Sequence, residues 1–203
     1  MEYLWNGERK MDKDAALKNF KIIIDTTKNI NLRIFLDGGT LLGAIRGKDF
    51  IGHDSDFDFG VLRSEFSDEI RRKLVDSLTT QDIAFKGYEA PCFEINNNKR
   101  PHMLKFWGKY GKKFNIDFFI FEKHKNFYYH KAWGGIFYFK NETLDSLDEI
   151  EFKGMKVLVP HNPELYLEVL YGKEWKTPKS MKKPDEYTNF TKFYNLNLNY
   201  KFK

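Results

Sequence analysis

Leu36-Asp-Gly-Gly-Thr-Leu-Leu-Gly-Ala-Ile-Arg46, followed by His53-Asp-Ser-Asp-Phe-Asp-Phe-Gly60, is the stretch whose reading decides the fold. A short apolar run ends at two glycines, and a short apolar helix pattern follows them. Acids then recur at Asp54, Asp56 and Asp58, a period of two that places them on one face of an extended segment. Like charges on one face disfavour ionisation unless something neutralises them, and a divalent cation is the natural neutraliser. Glycines beside such a site let the backbone approach a phosphate closely. The stretch therefore points to metal-dependent chemistry on a phosphate-bearing substrate.

Outward from it, hydrophobic spacing predicts the elements. Ala16, Leu17, Phe20, Ile23 and Ile24 recur at helical steps over Lys13 to Lys28, with Asp12 or Asp14 as cap. Arg33 to Leu36 reads as a short strand, Thr40 as the cap of the helix that stops near Gly47, and Asp56 to Leu62 as the next strand. Ser67 caps a second amphipathic helix reaching Leu78, and Ile83 to Phe93 reads as extended. Met103 to Trp107 and Phe114 to Phe121 form a hairpin, and Ile150 to Val159 form another that turns at Lys153-Gly154. Pro163 opens a last helix that Gly172 closes. Tyr128 to Phe139 is aromatic and fits either strand or helix. This order of elements indicates an α+β fold, a mixed sheet flanked by helices, with a helical or irregular C-terminal appendage.

Asp117 lies inside the apolar strand Phe114 to Phe121. An ionised, unpaired acid there is costly. It is either a strand-end acid or lysine-paired acid, or a third ligand brought beside Asp56 and Asp58 by a neighbouring strand. Three carboxylates from two strands make a hard oxygen site suited to Mg²⁺ or Mn²⁺, ions that hold substrate phosphates and stabilise the transferring group.

These residues carry a family resemblance. Gly38-Gly39-Thr40, Asp56-Phe57-Asp58 and the later Asp117 resemble the nucleotidyltransferase superfamily pattern. More closely, Leu36 to Arg46 with Phe50-Ile51 and the acid cluster, then Val159-Pro160, Tyr166-Leu167 and Tyr171-Gly-Lys-Glu-Trp-Lys-Thr-Pro178, are similar to the LicD/fukutin family. The resemblance runs from Ile34 to Pro178. It implies a nucleotidyltransferase-like sheet and a phosphotransferase. Such an enzyme moves a phospho-alcohol, phosphocholine-like or polyol phosphate, from a CDP-linked donor to a sugar hydroxyl. It implies Asp56, Asp58 and Asp117 as metal-binding catalytic acids, and Gly38, Gly39 and Thr40 as the phosphate turn. It also implies Arg46 near the donor phosphates, although a helix-end arginine that pairs with the acids reads equally from the residues. The family often carries a run of consecutive acids where this chain has Asp54-Ser55-Asp56. Asp54 is then an extra ligand or an acceptor behind the ligands, and one metal or two both stay open. By its placement opposite Asp56 and Asp58, Asp117 is the acid expected to take the proton of the attacking hydroxyl.

Lys105 alternates into a strand and is a candidate phosphate contact, whereas Lys99 and Arg100 read as loop decoration. Trp133, Tyr138 and Trp175 are able to stack on a base or sugar, or to pack. His53 reads as a loop histidine beside the acids. The histidines and Cys92 have no zinc-ligand spacing.

A single cysteine excludes an internal disulfide, and no run of 18 apolar residues suggests a membrane span. The first ten residues lack the apolar core of a signal peptide. A cytoplasmic protein is expected. The net charge of +5 is carried by the end of the chain, where Lys173 to Lys203 holds eight lysines against Glu174, Asp185 and Glu186. Residues 1–178 are read as the catalytic domain and 179–203 as a basic, aromatic tail. Two other functions share the sequence signals. One is transfer of a nucleoside monophosphate from an NTP to a small molecule, RNA or protein. The other is an inactive binding module that acts through the lysines, which the acid cluster opposes because unneutralised carboxylates repel phosphate.

Overall fold

The computed structural model describes residues 11–89, 101–111, 114–132, 135–178 and 190–192. Helix α1 spans Lys13–Asn29 and is capped by Asp12, whose carboxylate accepts from the Ala15 N–H at 3.0 Å. The next elements are β1 (Phe35–Leu36), α2 (Gly38–Gly47) and β2 (Asp56–Leu62). Ser67 caps α3 (Asp68–Thr79), accepting from the Ile70 N–H. Seven strands follow: β3 (Ala84–Glu89), β4 (Met103–Trp107), β5 (Asn115–His124), β6 (Phe127–Ala132), β7 (Gly135–Lys140), β8 (Leu147–Phe152) and β9 (Met155–Pro160). Asn162 caps α4 (Pro163–Tyr171), and β10 covers Phe190–Lys192. The aromatic stretch of uncertain type is thus the β6–β7 hairpin. Its strands mix aromatic side chains with His130, Lys131 and Lys140, so the residue pattern carries neither period cleanly.

The strands form one mixed sheet in the order β10-β7-β6-β5-β2-β1-β9-β8, with β4 and then β3 branching from β5. The pairs β2·β5 and β1·β9 are parallel and the rest antiparallel. One edge of β5 serves two partners, β4 along Asn115–Phe119 and β6 along Glu122–His124. Arg63 closes the fork, donating to Glu122 at 2.7 Å and to the Pro101 carbonyl at 2.6 Å. Residues 190–192, placed in the tail from sequence, pair with β7 as an added strand.

One face of the central strands carries Phe57, Phe59, Ile116, Phe118, Leu104 and Phe106, all buried. Phe20 of α1 packs there, with ring centroids 5.2 Å from Phe57 and 5.9 Å from Phe59. On the opposite face, α2 and α4 cover the far end of the sheet, where Phe139 stacks on Tyr166 at 4.4 Å and Phe35 meets Phe121 at 5.2 Å. Gly60 is required there because a Cβ would fall 2.1 Å from the Phe35 ring. His130 sits among Phe119, Phe121 and Phe137, and burial first, then His102, pushes its imidazole down to about 3. It therefore packs as a neutral ring. Among the described residues no helix is long and apolar enough to cross a membrane.

Candidate active site

At the near end of that second face Asp56, Asp58, Lys105, Asn115 and Asp117 are half-buried. Asp58 on β2 lies beside Asp117 on β5, and Asp117 lies opposite Lys105 on β4. Ladder partners share a face, so these side chains form one row at a strand spacing of about 4.8 Å. β1 extends the row, because the Asp37 N–H donates to the Asp58 carbonyl at 3.1 Å. Two residues along, a second row holds Asp56, Asn115 and Trp107. The alternation is clean along β5: Asn115 and Asp117 are half-buried while Ile116 and Phe118 are fully buried. Asp117 is therefore a half-exposed member of a polar row on an apolar strand.

The Gly-Gly turn is built around Asp58. Gly38 has φ +50°, and a Cβ on it would lie 2.3 Å from Asp58 Oδ2. The Gly39 N–H donates to that same oxygen at 3.1 Å, and a Cβ on Gly39 would lie 2.4 Å from Asp54 Oδ2. Thr40 Oγ1 accepts from the Asp58 N–H at 2.9 Å. The expected cap of α2 was Thr40. Asp37 takes that place, because its carboxylate accepts from the Gly38 N–H at 2.8 Å one turn earlier and leaves the Thr40 hydroxyl free to face β2. The glycines thus make the close approach to an anion that their sequence suggests, and the anion in contact is the chain's own carboxylate.

The acids perturb one another. Burial pushes Asp54 up to about 9, assisted by its hydrogen bond with Asp56 and the charge of Asp56. Burial raises Asp58 well above the usual carboxylate range, and the charges of Asp56, Asp54, Asp37 and Asp117 add to it. Burial holds Asp37 up at about 6 against two hydrogen bonds, from the Tyr166 hydroxyl at 2.8 Å and from Gly38.

Hard carboxylate oxygens that repel each other fit Mg²⁺ or Mn²⁺ in chemistry. In number they form no closed cage: among the described residues, no three His, Cys, Asp or Glu side chains gather around one point. Mg²⁺ commonly takes one or two carboxylates and completes its shell with water and substrate phosphate, which this open row allows.

The model of the LicD/FKTN/FKRP nucleotidyltransferase domain matches residues 31–162. The chain belongs to this family. The match holds the Gly-Gly turn, both rows and β1 through β9, and α4 follows directly. The LicD-family chain is also 27% identical over 161 residues to the uncharacterized protein RT0683 of Rickettsia typhi, covering 76% of the chain and 45% of that relative. It thus spans under half of the relative's length. Among solved structures, the lincosamide antibiotic adenylyltransferase LnuA, with lincomycin bound, is similar at a TM-score of 0.46 and 17% identity, covering 78% of this chain and 86% of that one. The antibiotic-resistance factor ANT(2'')-Ia is similar at a TM-score of 0.49 and 13% identity, covering 84% and 78%.

Other residues singled out from sequence lie elsewhere in this LicD-family fold. Arg46 stands in the last turn of α2, about 12 Å along the axis from Gly38. Its guanidinium donates to the Trp175 carbonyl at 3.4 Å, tying α2 to the C-terminal signature. Trp175 is 6% exposed and packs into the core. Tyr138 lies on β7, beyond β5 from the rows, and His53 is exposed in the loop before β2. Trp133, Lys99, Arg100, Cys92 and most of the lysine-rich tail lie outside the described residues. Sequence reading missed Asp37, Tyr166, Asn115 and Trp107. Asp before Gly-Gly at a helix start is a cap signal that was available for the first.

Proposed function

We propose that the chain transfers a phospho-alcohol group, phosphocholine-like or polyol phosphate, from a CDP-activated donor to a sugar hydroxyl of a glycan. The observation that carries this reading is the half-buried row Asp58, Asp117, Lys105 on one sheet face in a chain of the LicD family. One or two of the acids Asp56, Asp58, Asp117 and Asp54 would hold Mg²⁺ or Mn²⁺, with water and donor phosphate completing its shell, and the ion would neutralise the donor diphosphate and the charge on the departing CMP. The Gly38–Thr40 turn fixes Asp58 from its carboxylate and from its backbone, so its oxygens need no reorganisation during the reaction. Lys105 supplies a cation at the other end of the row for the donor phosphates. Asp117, between them, would accept the proton of the sugar hydroxyl as its oxygen bonds to phosphorus. The phosphorus–oxygen bond to CMP breaks, and CMP leaves with the bonding pair.

Phosphorus NMR of the protein with Mg²⁺ or Mn²⁺, a panel of CDP-alcohols and candidate sugars tests this. CMP release that depends on the sugar is expected. Pyrophosphate from an NTP, with no CMP from any CDP-alcohol, would establish nucleotidyl transfer instead. An Asp117→Asn variant that folds and keeps wild-type turnover would remove Asp117 from the proton transfer.

A further inference from the structure

We infer that Trp107 is the stacking platform for the nucleobase of the donor, with Asn115 facing the nucleoside between that ring and the acids. The inference rests on the nucleotide donor proposed above and adds where the nucleoside lies. Trp107 is 49% exposed, the largest exposure among the large hydrophobic side chains of the described core strands and helices. Ladder register puts it on the same face as the carboxylates, in the row Asp56, Asn115, Trp107. It is two residues along β4 from Lys105, about 7 Å, and two strands from Asp56, roughly 10 Å. An extended nucleotide separates its phosphates from its base by a comparable span.

The surroundings suit a flat, polar-edged ring. The Lys86 ammonium lies over the indole at 5.3 Å from its centroid, so that face already attracts a cation and is reachable from solvent. Lys86 sits where the β3 register shifts between Phe85 and Gly87, and the strand there carries no bulky side chain on Gly87, the residue opposite Lys105. The Asn115 amide offers both donors and an acceptor for a ribose hydroxyl or a base edge. Lys105 and the metal-binding end of the row then receive the diphosphate. The occupant is therefore a nucleoside diphosphate whose phosphates point toward Asp58. Indole stacking tolerates every base, so Trp107 supplies affinity, and choice of base falls to hydrogen-bonding groups such as Asn115.

The test is calorimetric titration of CMP, UMP, AMP and GMP and their diphosphates, with Mg²⁺, into wild type, Trp107→Ala and Trp107→Phe. Trp107→Ala is expected to weaken nucleotide binding roughly 5- to 150-fold, the range that follows from base–aromatic stacking of about 1–3 kcal/mol. Trp107→Phe should recover most of the affinity, and both variants should melt within a few degrees of wild type. Wild-type affinity in Trp107→Ala overturns the inference and leaves the donor class standing. Trp107-dependent binding of a purine nucleotide, without binding of cytidine nucleotides, upholds the platform and overturns the CDP donor. If wild type binds no nucleotide, both fall.

Discussion

Asp58 concentrates the conflict between stability and chemistry in this protein. It sits among four other acids, and its carboxyl is pushed well above the usual range by burial and by their charges. Asp58→Asn keeps an acceptor for the Gly39 N–H and removes the charge. The variant should melt higher than wild type in metal-free buffer by a margin that grows as pH rises and Asp58 is driven to ionise, about 2–4 °C for each kcal/mol of repulsion relieved. It should also lose transferase activity. A lower melting temperature in a folded Asp58→Asn protein would show that the cluster does not strain the fold. Gly38 gives the complementary case. Its φ of +50° and the 2.3 Å approach to Asp58 Oδ2 leave no room for a methyl group. Gly38→Ala is expected to displace that carboxylate and lower kcat by about 100-fold, the cost of misplacing a reacting group by an ångström. Wild-type kcat in that variant would mean the turn has slack that its geometry does not show.

At the scale of elements, the joint between α4 and the start of α2 carries the site. Tyr166 is fully buried and donates to Asp37, which caps α2 and continues the acid row. Tyr166→Phe removes one of two hydrogen bonds to a buried carboxyl and should cost about 1–3 kcal/mol in urea unfolding. An unchanged midpoint would mean that Asp37 finds another donor. This joint was invisible in sequence because its members stand 129 residues apart. Local features were legible: α1, β2, α3, the β4–β5 and β8–β9 hairpins and α4 follow from period, caps and turn glycines. So was the pairing of Asp117 with Asp56-Phe57-Asp58, because an acid on an otherwise apolar strand needs a reason. Register was not legible. Whether Asp117 faces Asp58 or Phe59 depends on a one-residue slip, and only the slip observed brings Lys105 and Trp107 onto the acid face.

The whole molecule adds these local terms into a pH dependence that a divalent cation should invert. Asp37 and Asp54 hold protons more tightly in the fold, at about 6 and about 9, than an ordinary carboxylate does. A raised carboxyl stabilises the fold fully below its unfolded value, and that contribution disappears as pH rises through the folded one. For Asp37 the difference from 3.8 corresponds to about 3 kcal/mol. Asp145 and Asp148 act in the opposite sense. Each is held below its ordinary value by a hydrogen-bonding partner, Lys123 for one and His161 for the other, so their contribution is lost as pH falls. The metal-free protein should therefore be most stable near pH 4, about the ordinary carboxylate value, and melt progressively lower from there to about pH 9. Mg²⁺ or Mn²⁺, if it is the proposed cofactor, would bind the ionised cluster and not the protonated one, so its stabilisation should grow over the same interval. Melting curves in chelator and in millimolar Mg²⁺ across that range measure both effects. A metal-induced shift that stays constant with pH would place the ion away from the Asp54–Asp58 cluster, since binding to its raised carboxyls competes with protons in that window.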